Sequence, residues 1–238
     1  MGNSALKSHF EHGQKTGVLN LSKQKLDEFP SGMKILNNSL RSLDMSDNKF
    51  VAIPLEIQTY QKLKVLILDR NRLTSLPEEI GCLPKLESFS ATDNKLTVLP
   101  KSFSNLSSLK KIHISGNLIK EFPVMLIGLP HLDFIDLSKN KLTTVPKGVA
   151  KLQCIELNLN QNQIASIHMD LASCPRLKTL RIEENCLPLE GFPTEIFHLS
   201  NVSLICAEGN LFEMKSFMDL EGYDKYMERY TAVKNKLL

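Results

Sequence analysis

The chain has 238 residues, of which 42% are hydrophobic, and it contains no tryptophan. Its formal net charge of +3 is small and scattered, which argues against a nucleic-acid-binding protein. No apolar run reaches the roughly 18 residues of a membrane-spanning helix.

The five cysteines stand at unrelated positions and form no Cys-x-x-Cys cluster. This pattern does not predict a disulfide framework. The start of the chain has no apolar signal segment either. Together these features favour a cytoplasmic protein, and they predict neither a cofactor nor a small-molecule substrate.

The first residues combine a lipidation signal with a short helical pattern. Met1-Gly2-Asn3-Ser4 resembles the start of an N-myristoylated protein, although Leu6 stands where the simple motif has Ser or Thr. The alternative is that Gly2 merely precedes a helix. We expect an N-terminal segment of residues 1–17 with a helix over 4–14 that covers the first repeat.

From residue 18 to 213 an apolar frame recurs and ends each time in asparagine, as in Leu63-x-x-Leu66-x-Leu68-x-x-Asn71. The frame predicts a short strand with inward leucines, followed by a bend. The asparagine amide can pair buried backbone groups of neighbouring repeats at that bend. The predicted ladder consists of Asn48, Asn71, Asn94, Asn117, Asn140, Asn162, Asn185 and Asn210, at intervals of 22 to 25 residues.

A frame of this shape and period is typical of a leucine-rich repeat. A degenerate first copy, which contains Leu19 and Gln24, brings the number of repeats to about nine. We therefore predict an α/β solenoid, a leucine-rich-repeat horseshoe with a parallel concave β-sheet. Residues 214–238 place aromatic residues at helical spacing and are predicted to form a C-terminal amphipathic cap.

The outward strand positions lie two, four and six residues before each asparagine and should form rows along the concave face. Small polar residues are the norm in these rows. The exceptions favour a contact surface for a protein partner, whereas strand propensity and solubility offer a simpler explanation. The predicted partner-binding residues are Val65, Ile67, Lys111, His113, Phe134, Asp136, Glu156 and Arg181.

One of these rows contains Ser90, His113 and Asp136 on three adjacent predicted strands. The order suggests a Ser-His-Asp relay, but no nucleophile elbow or glycine-rich oxyanion loop accompanies Ser90. A hydrolase is therefore a remote alternative. One histidine and one carboxylate also fall short of a zinc ligand set, so we predict no metal site.

The sequence after each asparagine, as in Leu73-Thr74-Ser75-Leu76-Pro77, resembles the intracellular leucine-rich-repeat class that includes Ras-suppressor-type and Shoc-type scaffolds. Four segments resemble one branch of this class: residues 1–6 (MGNSAL), 156–163 (ELNLNQNQ), 183–187 (EENCL) and 221–229 (EGYDKYMER). The last segment is the most specific, because the repeat frame does not require it.

That resemblance implies an intracellular, membrane-associated protein that is N-myristoylated at Gly2 and has no established enzymatic activity. We therefore expect a non-enzymatic scaffold or adaptor that binds a protein partner and acts in signal transduction. A soluble regulatory subunit without a lipid is the alternative.

Overall fold

The computed structural model describes residues 3–236, and these residues form a nine-stranded parallel sheet to which each repeat contributes one strand. A second, two-stranded parallel sheet pairs Thr144–Val145 with Ser166–Ile167. The strands are β1 (Val18–Asn20), β2 (Ser42–Asp44), β3 (Val65–Ile67), β4 (Ser88–Ser90), β5 (Lys111–His113), β6 (Phe134–Asp136), β7 (Thr144–Val145), β8 (Glu156–Asn158), β9 (Ser166–Ile167), β10 (Thr179–Arg181) and β11 (Leu204–Cys206).

The chain divides into two compact units. The first runs to residue 118 and adds residues 129–131, whereas the second contains residues 119–128 and continues from residue 132. The repeat pattern did not predict this division, because no linker interrupts the repeats.

The first unit contains helix α1 (Asn3–Thr16) and strands β1 to β5. Its strands pair at equivalent repeat positions, so that Leu43 pairs with Leu66 and Leu66 with Phe89. These three side chains are fully buried, as the alternation of a strand requires for its inward residues. Short 3-10 helices return each repeat to the next strand: Ser31–Leu36, Leu55–Thr59, Glu78–Cys82 and Lys101–Asn105.

The second unit contains strands β6 to β11 and three helices, α2 (Glu195–Leu199), α3 (Met214–Met218) and α4 (Tyr223–Lys234). Ile135, Leu157 and Leu180 occupy equivalent inward positions of β6, β8 and β10 and are fully buried. The returning segments include the 3-10 helices Val124–Leu126, Val149–Lys151, Met169–Ser173 and Leu189–Gly191.

Helix α1 covers the first repeat of its unit. Phe10 is buried and packs on Gly32, where an added Cβ would lie 2.5 Å from the Phe10 ring. The Thr16 hydroxyl accepts a hydrogen bond from the Val18 backbone nitrogen at 3.1 Å, at the start of β1. The helix is slightly longer than residues 4–14, over which the sequence predicts it.

Two helices, rather than one continuous helical segment, close the far end of the second unit. Gly222 separates α3 from α4 and has φ of 83°, a conformation that glycine adopts without steric cost. The Tyr226 hydroxyl accepts a hydrogen bond from the Ile205 backbone nitrogen at 3.1 Å. Arg229 Nε donates to the Val202 carbonyl oxygen at 3.0 Å. Helix α4 thereby satisfies backbone groups at and beside β11, the strand at one edge of the sheet that residues 3–236 form.

The predicted leucine-rich-repeat solenoid is confirmed, with its parallel sheet and with helices at both ends. Over residues 3–236, no helix combines the length and the apolar character that crossing a membrane requires.

Candidate partner-binding face

The asparagine after each inward strand forms hydrogen bonds to two repeats. Asn117 Nδ2 lies within hydrogen-bond distance of three carbonyl oxygens, those of Ala91, Ile114 and Ser115, at 2.9, 3.1 and 3.1 Å. Its Oδ1 accepts from the Leu96 backbone nitrogen at 2.9 Å. Asn117 is buried, so these bonds satisfy groups that water does not reach.

The residue immediately before each of these asparagines has a positive φ, a feature that the sequence reasoning missed. Six of them are not glycine, with φ between 51° and 57°. The conformation turns the chain so that the asparagine amide points inward; two glycines in the same column were the available signal. The residues are Asp47, Arg70, Asp93, Gly116, Lys139, Gln161, Glu184 and Gly209.

The outward face of the first unit carries two of the predicted apolar contact residues. Val65 and Ile67 flank the buried Leu66 on β3 and are half-buried. Val65 pairs with Ser42 on one side and with Ser88 on the other. The two apolar side chains therefore stand between strands whose outward residues are small or polar.

Polar side chains beside these residues form hydrogen bonds within the protein. Asp44 Oδ1 accepts hydrogen bonds from the Ser46 backbone nitrogen at 2.9 Å and from the Ser46 hydroxyl at 2.7 Å. Asp69 Oδ1 accepts from the Thr92 backbone nitrogen at 2.8 Å. The Asp44 bonds are local, and the Asp69 bond joins two neighbouring repeats, so both carboxylates are already partly satisfied without a partner.

Ser90, which pairs with His113 in the register of β4 and β5, also forms an internal hydrogen bond. Its Oγ donates to Asp69 Oδ1 at 2.5 Å. Ser90 lies on a regular strand, and its hydroxyl bonds a side chain of the preceding repeat on the outward face of the sheet.

Lys111 and His113, at the outward positions of β5, belong to the first unit; Lys111 is exposed and His113 is half-buried. The adjoining residue Lys110 takes part in a charge ladder that sequence reasoning missed. Lys110 Nζ and Lys64 Nζ each lie 2.7 Å from an oxygen of Glu87. The hydrogen bonds from these two ammonium groups lower the pKa of Glu87 to about 2, and the bond from Lys110 has the larger effect.

The second unit carries the other four predicted contact residues. Phe134 and Asp136 lie on β6 and are half-buried. Asp136 Oδ1 accepts from the Ser138 backbone nitrogen at 3.0 Å and from the Ser138 hydroxyl at 2.7 Å. On the next strands, Arg181 Nε donates to Glu156 Oε1 at 2.8 Å.

The Arg181–Glu156 pair links β10 to β8 on this face. The hydrogen bond that Arg181 donates to Glu156 raises the pKa of the Arg181 guanidinium above its usual range, against a smaller opposing effect of burial. Arg181 Nη1 also lies 3.7 Å from Cys206 Sγ on β11. Burial is the main reason that the pKa of the Cys206 thiol is raised, so this cysteine stays a neutral thiol at pH 7.

Two other predictions concern lipid and metal. Gly2, the predicted lipidation site, lies outside the described residues, and helix α1 begins at the next residue, Asn3. Within the part of the chain that the structure describes, no group of three or more His, Cys, Asp or Glu side chains could hold a metal ion.

Comparison with known families places repeats in two regions of the chain. A leucine-rich-repeat model matches residues 92–142, and a second model of the same description matches residues 39–59 and 62–83. The matched residues include strands β2, β3, β5 and β6 and five of the asparagines, Asn48, Asn71, Asn94, Asn117 and Asn140.

Named relatives match only part of the chain. The chain is 36% identical over 70 residues to plant intracellular Ras-group-related LRR protein 7 of Oryza sativa subsp. japonica. The alignment covers 29% of this chain and 27% of the rice protein. It is 35% identical over 81 residues to the mouse leucine-rich repeat and calponin homology domain-containing protein 1. The alignment covers 33% of this chain and 11% of the mouse protein. The chain thus spans far less than two thirds of these relatives.

Solved structures share the fold over most of the chain. An internalin from Listeria monocytogenes aligns with a TM-score of 0.72 and 22% identity, over 90% of this chain and 61% of the internalin. The plant peptide hormone receptor RGFR1, solved in complex with RGF2, aligns with a TM-score of 0.66 and 28% identity, over 76% and 30% of the two chains.

Proposed function

We propose that this chain, a leucine-rich-repeat protein, is a non-enzymatic scaffold that binds a cytosolic protein partner on the outward face of its parallel sheet. The observation that carries the proposal is the placement of Val65 and Ile67 outward on β3, among small and polar residues. Apolar anchors within a polar rim are the composition of a protein-binding surface.

The hydrogen bonds between side chains of the outward face also support its role in binding a protein partner. Asp136 is held by Ser138, and Arg181 by Glu156. Such groups add specificity through their fixed charge, while contact area must come from apolar side chains such as Phe134. The repeat fold supports protein binding as well, because one face of a solenoid is its usual binding surface.

We further propose that the scaffold is tethered to a membrane by myristate at Gly2 and acts in signal transduction. The support is the start of the sequence and its resemblance to an intracellular class of scaffolds. One myristoyl chain gives an affinity of only about 10⁴ M⁻¹, so a second contact with the membrane is needed. A soluble regulatory subunit would lack this group.

Site-specific photocrosslinking in cells tests the partner-binding face. A p-benzoylphenylalanine at position 67 or 134 should crosslink to a protein partner. The same probe at position 98 is the matched control, because Val98 is 59% exposed and lies outside the strands. Equal crosslinking from all three positions would place the partner elsewhere.

Side-chain removal gives a second test. With the crosslinking probe at position 67, His113→Ala and Phe134→Ala should each reduce the yield of the crosslinked complex without moving the urea midpoint. Unchanged yield in both variants would argue against a contact at these residues.

Intact-mass analysis of the N-terminal peptide from eukaryotic cells tests the tether. Wild-type protein should gain one myristoyl group, and Gly2→Ala should gain none. A plain or acetylated glycine in the wild type would favour the soluble alternative.

A further inference from the structure

A groove in the second unit lies between helix α4 and the last strands of the sheet. It has a volume of about 630 Å³. Its main lining residues are Lys178, Thr179, Leu204, Tyr230, Val233 and Lys234. None of these residues belongs to the partner-binding set that the sequence predicts.

Helix α4 forms one wall of the groove. Side chains one helical turn before the lining residues hold it in place. Tyr226 and Arg229 bond to backbone groups of Ile205 and Val202. Tyr230 and Val233 follow these two residues at a spacing of four and therefore lie on the same side of the helix. The wall is thus fixed by bonds that do not involve the lining side chains.

The floor of the groove continues the sheet face. Thr179 of β10 and Leu204 of β11 are direct partners in the parallel register, and both are half-buried. They occupy the same outward row as Val65 and Phe134 in their own repeats. Together with Val233, which is 44% exposed, Leu204 gives the groove an apolar interior.

Both charged residues of the groove are lysines without a counter-charge. Among residues 3–236, no carboxylate oxygen lies within 4.0 Å of the ammonium group of Lys178 or Lys234. Lys64 and Lys110 stand at the same repeat position as Lys178 but share Glu87. At that position the repeats on either side of Lys178 have Ile155 and Ser203, neither of which is acidic.

We propose that this groove binds an acidic segment of the partner protein that inserts one apolar side chain between Leu204 and Val233. Carboxylates beside that side chain would pair with Lys178 and Lys234, for which residues 3–236 supply no ion-pair partner. The proposal deepens the proposed function and rests on it, since it identifies the chemistry of the segment that one end of the binding face recognises.

Fluorescence polarisation with synthetic peptides tests the groove directly. The probe is a fluorescein-labelled peptide, Asp-Glu-Leu-Phe-Asp-Glu. We expect it to bind, whereas Asp-Glu-Ser-Ser-Asp-Glu should bind at least tenfold more weakly because it lacks apolar side chains. A basic version, Lys-Arg-Leu-Phe-Lys-Arg, should not bind. Binding of the basic peptide as tightly as the acidic one would overturn the proposal.

Variants locate the binding. Lys178→Glu together with Lys234→Glu should weaken the acidic peptide at least tenfold. The matched control is Lys120→Glu together with Lys141→Glu, which makes the same charge change at exposed lysines away from the groove. Shifts of the Thr179, Leu204 and Val233 backbone amide signals in NMR spectra should accompany wild-type binding. Equal weakening by both double variants would show a general charge effect and overturn the proposal.

Other occupants give distinct results. Binding to phosphatidylserine vesicles through Lys178 and Lys234, without peptide binding, would assign the groove to a membrane. A concentration-dependent dimer that Val233→Asp abolishes, again without peptide binding, would assign it to a second copy. Either result overturns the proposal.

The two proposals can fail separately. Peptide binding without a crosslink from position 67 or 134 would keep the groove and reject the sheet-face function. A crosslink without peptide binding would reject the groove alone.

Discussion

Asn117 Nδ2 lies 2.9 Å from the carbonyl oxygen of Ala91, which belongs to the preceding repeat. The same side chain accepts a hydrogen bond from Leu96, also in that repeat. One amide therefore satisfies a buried acceptor and a buried donor that the strand ladder leaves open. The asparagine column acts as a continuation of the sheet beyond its last strand residues.

Asn117→Ala should lower the free energy of unfolding by about 1–3 kcal/mol, because it leaves buried backbone groups without partners. Urea denaturation measures the change. Asn105→Ala is the matched control, since Asn105 is exposed at the end of a 3-10 helix and should change the midpoint little. Equal midpoints for wild type and Asn117→Ala would refute the role of the ladder.

Gly116→Ala should destabilise the protein by about 1–2 kcal/mol because of its φ of 65°. An added Cβ would also collide with Asp93 Oδ1. Gly148→Ala separates the two effects, since Gly148 has φ of 93° but no neighbouring atom within 4 Å of an added Cβ. Thermal unfolding should show the larger loss at Gly116, and Asp93→Ser should recover part of it. A larger loss at Gly148 would contradict the close approach.

Glu87 should titrate with a pKa of about 2, below its ordinary value of 4.5. Because the folded-state pKa is depressed, its contribution to stability is present above pH 4.5 and is lost as the pH falls toward 2. Carbon-13 NMR of the side-chain carboxyl measures the titration. Lys110→Met should raise this pKa, whereas Lys120→Met should leave it unchanged. An ordinary pKa in the wild type would show that the lysines do not hold Glu87 in solution.

Tyr226→Phe should destabilise the protein by about 1 kcal/mol, since the Ile205 backbone nitrogen loses its acceptor at 3.1 Å. Differential scanning calorimetry measures the loss. Tyr230→Phe, one turn later on α4, removes a hydroxyl from the groove and should leave the unfolding temperature nearly unchanged. Similar effects of both substitutions would mean that the Tyr226 hydroxyl is not the anchor of the helix.

The spacing of apolar residues was sufficient to place the strands. Leu66 faces inward and Val65 and Ile67 face outward because a strand alternates its side chains, and the asparagine frame fixes the register. The short 3-10 helices and the β7–β9 pair were not predicted. The 3-10 helices rest on local bonds, such as that from the Ile57 nitrogen to the Pro54 carbonyl oxygen, which the apolar frame does not specify. The β7–β9 pair joins two successive repeats, and a frame read within one repeat does not contain that contact.

The sequence predicted which residues face outward but not how they are used. Asp136 and Ser138 form a local turn, and Asp44 and Ser46 form the same one. An aspartate or asparagine followed two residues later by serine is a known signal for such a turn, so this pattern could have been recognised. The bond from Ser90 to Asp69 joins different repeats and has no such local signal.

The asparagine amides also determine how the chain would come apart. Asn48 accepts from the backbone nitrogens of both Gln24 and Leu26 and donates to the Leu21 carbonyl oxygen. No asparagine precedes it in this column, so the first repeat depends on Asn48 for these links. Amide protons of Gln24 and Leu26 should therefore exchange with solvent through local fraying, well before those of repeats that are held from both sides.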